Sequence, residues 1–131
     1  MKLGLVLRIA AIYMALVGLG LIFAPTRFGV GAMPVDASPE LIAFLRLWGS
    51  PLLGIAVLDW MARDAEPSRA RDAIIVGNIV GFASIAAIDV WGAVGGGRAA
   101  HKVFVVVHLL FALAFVWAAR GSMWGTTRPI R

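Results

Sequence analysis

Arg46, Asp89 and His108 are the residues of this chain best suited to chemistry. A guanidinium grips a carboxylate, phosphate or carbonyl oxygen through a fork of N–H donors. A carboxylate takes up or releases a proton, and an imidazole carries one near neutral pH. All three lie inside long apolar stretches, where an ionisable group is costly and turns towards the interior of a helix assembly or a polar cavity. With those stretches threaded through a membrane, each residue falls about five or six residues, roughly 7 to 9 Å, below the same boundary. They are expected to form one polar layer in the outer half of the protein, with Arg46 and Asp89 as neighbours. As structure, the layer is an ion pair with a hydrogen-bonded histidine tying three helices together, and this is the expected reading. As a site, Arg46 holds an anionic or carbonyl headgroup while Asp89 and His108 exchange protons with it.

Arg8, Asp59 and Asn78 fall in the opposite, cytoplasmic half and are expected to form a second, shallower layer, with Arg8 and Asp59 close enough to the boundary to snorkel. Helical phase supports part of this arrangement. Asn78 and Asp89 are separated by about three turns and return to nearly the same face, whereas Arg46 and Asp59 diverge by about 140° on theirs. The second helix therefore cannot turn both towards one narrow seam. Arg8 shares a stripe with Ala11, Ala15 and Gly18, small residues suited to close helix contact, and Gly77 and Gly81 make a GxxxG pair. Tyr13, Met14 and Phe82 near mid-membrane read as packing.

No metal or cofactor is expected. His101 and His108 stand two turns apart, about 10 Å, too far for one ion whose ligands sit at about 2 Å. A bis-histidine haem would need a second histidine at equal depth on another helix, and none exists. There is no cysteine, which removes disulfides, thiolate metal sites and thiol redox pairs. No complete catalytic set is present, so an enzyme in its own right is the third reading.

The elements that must position these residues are four apolar stretches: Leu3–Phe23, Leu41–Met61, Ala73–Val94 and Val103–Ala119. About 20 residues of helix cross a hydrocarbon core. The expected fold is all-α, a single integral-membrane domain forming an antiparallel four-helix bundle. A composition of 61% hydrophobic residues and a mean hydropathy of +0.91 agree, since a soluble domain of this length needs far more polar surface. The first stretch contains Arg8 and ends at Phe23-Ala24-Pro25 rather than at a small-x-small cleavage site, so it reads as a retained helix.

Between the stretches, Gly29, Gly31, Pro34 and Pro39 mark a turn, and Ser38-Pro39-Glu40 reads as a helix start with Ser38 as N-cap. The second connection, Ala62 to Asp72, is polar around Pro67-Ser68, and Gly95-Gly96-Gly97-Arg98 is a tight break. Lys2, Arg63, Arg69, Arg71, Arg120, Arg128 and Arg131 fall on one side, against Arg27, Arg98 and Lys102 on the other. This bias places both termini in the cytoplasm. Trp60, Trp91, Trp117 and Trp124 lie near the boundaries, as an aromatic belt requires. The net charge of +5 comes from single residues at helix ends, suited to anionic lipid headgroups. It forms no basic stripe, so no nucleic-acid partner is expected. Ten Arg against two Lys hints at a GC-rich bacterial genome.

The chain resembles the small bacterial four-helix membrane proteins of the DoxX-like families. The likeness lies in Arg-x-x-Ala-x-Tyr from Arg8 to Tyr13, in Leu45-Arg46-Leu47-Trp48-Gly49 followed by Leu53-Gly54, in Arg63 closing the second helix, and in Arg69-x-Arg71 before the third. It implies a bacterial inner-membrane location and, for some members, a place beside quinone-linked oxidoreductases. The leading expectation is an accessory or structural subunit packing against a larger membrane complex or its own copies. The alternative is a protein that binds or transports a quinone, lipid or other amphiphile at the outer polar layer.

Overall fold

The computed structural model describes residues 2–28, 36–96 and 99–123. The turn residues Gly29, Gly31 and Pro34, the Gly97-Arg98 break, Trp124, Arg128, Arg131 and the His101 side chain lie outside what is described. The described residues form five helices and no strand: α1 (Leu3–Phe23), α2 (Pro25–Phe28), α3 (Pro39–Ala62), α4 (Arg69–Val94) and α5 (Ala99–Met123). Helices α1, α3, α4 and α5 are each long and apolar enough to cross a membrane.

Local chemistry sets the helix ends. The Ser38 hydroxyl accepts the Leu41 amide at 3.3 Å with Pro39 just inside the helix, satisfying one of the free amides of a first turn. The Ser68 hydroxyl does the same for Arg71 at 3.2 Å. That cap starts α4 at Arg69, a full turn before the apolar run at Ala73, and makes the polar Arg69–Asp72 segment helical. Pro25–Phe28 adds one helical turn in a segment whose composition suggests only loop. Pro51 lies inside α3, where it leaves the Leu47 carbonyl without the amide it would ordinarily receive.

The helices pack as two close pairs. Helix α3 buries Gly49, Ala56 and Ala62, small residues that let it lie close to α1, and turns Asp59 to α4. Gly18 and Gly49 bring the two backbones together: a Cβ on Gly49 would lie 2.6 Å from the Gly18 carbonyl oxygen, and one on Gly18 would lie 2.9 Å from that of Gly49. Gly4 approaches the Arg63 carbonyl just as closely, 2.5 Å from where its Cβ would be. Helix α4 packs on α5 through aromatic rings, with Phe82 stacked on Phe111 at 4.6 Å and on Phe115 at 6.0 Å between centroids. Val6, Leu7, Ala10 and Met14 of α1 complete the core between the pairs. The α3–α4 seam is different, because those two helices touch only sparsely.

Candidate functional site: a cleft between two polar pairs

The first polar group is built on α1, α4 and α5. His108 Nδ1 lies 2.5 Å from Asp89 Oδ2, and His108 Nε2 lies 2.8 Å from the Tyr13 hydroxyl. With Asp89 ionised, Nδ1 carries the proton and donates to the carboxylate. Nε2 then accepts from the tyrosine, so the bonds the ring makes set its tautomer. Phe104 stacks on the imidazole at 5.8 Å, and Phe82 lies tilted beside it at 6.0 Å. Only 10% of the His108 side chain and 15% of the Asp89 side chain are exposed. The result is a hydrogen-bonded row from a carboxylate through an imidazole to a phenol, able to pass a proton along its length.

Arg46 does not join this row. It is exposed and forms no hydrogen bond or ion pair among the described residues. The reason is the phase of α3: Asp59 is turned fully inward, and a residue about 140° away must then face outward. Tyr13 occupies the place expected for Arg46. It reads as packing from its apolar neighbours, and the signal that could have found it is its depth, since it is the one phenol level with His108.

The second polar group is smaller than the expected layer. Asn78 donates from Nδ2 to Asp59 Oδ1 at 2.6 Å and to the Ile74 carbonyl at 3.0 Å, which orients its amide. Asp59 is fully buried and Asn78 is 7% exposed. Asp59 Oδ2 and Asn78 Oδ1 have no donor. Arg8 is drawn instead to the end of α3, where it pairs with Asp64 at 2.8 Å. Asp64 also receives Arg63 at 3.0 Å, and the Arg63 guanidinium lies over the Trp60 ring at 4.3 Å from its centroid. Arg8 and Asp64 are at least half exposed, as snorkelling predicts for Arg8, whereas Asp59, expected to snorkel as well, is turned inward to Asn78 and buried.

A cleft of about 480 Å³ lies along the α3–α4 seam, lined by apolar residues with Asp59 and Asn78 in its wall. A smaller cavity of about 210 Å³ adjoins Tyr13, Asp89, Phe104 and His108. Met14, Leu52 and Ile85 line both, so the two spaces meet at a shared wall. Gly77 and Gly81 make no close helix contact. They line the cleft, and a Cβ at either would meet nothing within 4 Å.

No protein-family model, curated protein or solved structure matches the chain. Among the described residues no group of acidic or histidine side chains is arranged to hold a metal ion. The α3–α4 cleft is suited to hold an apolar body with one polar end at Asp59 and Asn78, beside a separate cavity lined by the hydrogen-bonded Tyr13, His108 and Asp89.

Proposed function

We propose that this chain is a multi-pass protein of the bacterial inner membrane that binds or carries a small amphiphile inside an antiparallel four-helix bundle. The observation that carries this reading is the α3–α4 cleft, apolar in its lining with the Asp59–Asn78 pair in its wall, which only Met14, Leu52 and Ile85 separate from the cavity beside Tyr13, Asp89 and His108. The cleft volume falls in the range of small-molecule sites, which combine apolar walls with a few placed polar groups. The pairings of Gly4 with Arg63 and Gly18 with Gly49 support opposed directions for α1 and α3. Those of Phe82 with Phe115 and Asp89 with His108 do so for α4 and α5. The basic residues at the α1 start, the α3–α4 connection and the tail support cytoplasmic termini.

Purification in mild detergent, followed by solvent extraction and mass spectrometry, tests this function. A small molecule retained at about one per chain, and lost in Gly81→Phe, is the expected result. A chain that carries no small molecule but brings down a larger membrane protein in fixed ratio favours the accessory subunit instead. Exposed Arg46 supports that second reading, because a cation within a span needs an acceptor and none of the described residues supplies one. A DoxX-like place beside a redox complex would give it one.

A further inference from the structure

We infer that the cleft selects a primary or secondary amine, held as an ammonium by Asp59 and Asn78 with its apolar body in the α3–α4 seam. The inference rests on the amphiphile-binding reading above and names the headgroup that reading leaves open. Its starting point is the two oxygens without donors, Asp59 Oδ2 and Asn78 Oδ1. A buried acceptor left unpaired is costly, more so on a carboxylate. The amide of Asn78 cannot relieve this by flipping, since its nitrogen is already committed to Asp59 Oδ1 and the Ile74 carbonyl.

The missing partner must therefore bring donors. A headgroup with carbonyl or ether oxygens alone brings none and would add further acceptors. A metal ion is a poor fit, because two oxygens fall well short of the six to eight that a hard cation such as calcium gathers. A charge is also wanted, because no ion pair to Asp59 is present among the described residues: Arg8 and Arg63 are engaged with Asp64, and Arg71 is turned to the Ala65 carbonyl. An ammonium with at least two N–H groups meets both requirements, one hydrogen bond going to each oxygen once the apolar side chains that cover them part. The Tyr13–His108–Asp89 row lies in the neighbouring cavity, set apart by Met14, Leu52 and Ile85, and its Asp89 Oδ2 is already taken by His108.

The test uses the full chain in nanodiscs of zwitterionic lipid, with empty nanodiscs to subtract partitioning, and equilibrium dialysis against three probes of one shape. These are 1-naphthylmethylamine, 1-naphthalenemethanol and the N,N,N-trimethyl derivative of the amine, which keeps the charge and has no N–H. The amine is expected to bind saturably and at least about tenfold more tightly than either relative, the scale of a charge-assisted hydrogen bond. Asp59→Asn, which keeps the shape and can still accept from Asn78, should remove that advantage and leave the alcohol unchanged. Gly81→Phe should block all three. Equal binding of the three probes, or an amine affinity untouched by Asp59→Asn, overturns the ammonium assignment. If Gly81→Phe still blocks binding in that case, the cleft reading survives. Absence of saturable binding by any probe, or binding indifferent to Gly81→Phe, overturns the cleft reading and the headgroup assignment together. Should Asp59→Asn fail to fold, the wild-type probe series decides alone.

Discussion

Tyr13 and His108 stand 95 positions apart in the chain and meet at 2.8 Å where α1 crosses α5. Because His108 also holds Asp89 on α4, one imidazole joins three helices, and the stability of that junction depends on which partner is removed.

Tyr13→Phe takes away only a hydroxyl and is expected to cost about 1 kcal/mol. His108→Phe leaves Asp89 without its partner in an apolar setting, at about 3 kcal/mol. Adding Asp89→Leu to His108→Phe should restore part of that loss. A double-mutant cycle from unfolding in mixed micelles checks this, and strictly additive costs would show that Asp89 and His108 do not act as a unit.

Glycines that look alike in the sequence should differ sharply in tolerance. Gly49→Ala puts a methyl 2.6 Å from the Gly18 carbonyl oxygen and should destabilise by about 1 to 3 kcal/mol by forcing α1 and α3 apart. Gly81→Ala meets nothing within 4 Å and should be neutral or stabilising by up to about 1 kcal/mol. Thermal unfolding in one detergent compares the two, and equal shifts would contradict the close α1–α3 contact.

Depth along a helix was legible in the sequence, and direction around it only in part. The run Leu3–Phe23 coincides with α1 because apolar composition and helix share the same limits there. Helix α4 begins earlier than its apolar run because Ser68 caps a polar turn, a signal carried by one hydroxyl. Asp89 and His108 share a level and do meet. Arg46 shares that level too, yet depth says nothing about which way α3 turns, and its small residues Gly49, Ala56 and Ala62 dock on α1 with Arg46 outside. Phase had already separated Arg46 from Asp59; only packing decides which of them faces in. Tyr13 reads as packing in the sequence because a hydrogen bond between distant helices leaves no local spacing, only a shared depth.

Arg46→Gln gives a direct check on that outward placement. With no partner among the described residues, the substitution should change the chain's own stability by less than about 0.5 kcal/mol. Any larger assembly that depends on the guanidinium should dissociate. A loss above about 1 kcal/mol in the isolated protein would place Arg46 back in the polar interior.

The absence of cysteine makes sidedness directly measurable. Asp36→Cys and Glu66→Cys introduce single thiols at exposed connections. In sealed cells an impermeant maleimide should label the first and spare the second, with the reverse in inverted vesicles. Labelling of both from one side would refute the proposed topology.

The sparse α3–α4 seam also bears on how a solute would arrive under the proposed function. With the helices placed in a bilayer as proposed, the opening along two loosely joined helices would be a lateral portal, and the route to it would run through hydrocarbon rather than water. Occupancy then follows the solute's concentration in the lipid, which rises with each methylene by about 0.8 kcal/mol of transfer free energy. A compound that dissolves well in the bilayer can fill such a cleft with weak contacts of its own. Discrimination among equally greasy molecules falls to the few polar atoms in the wall.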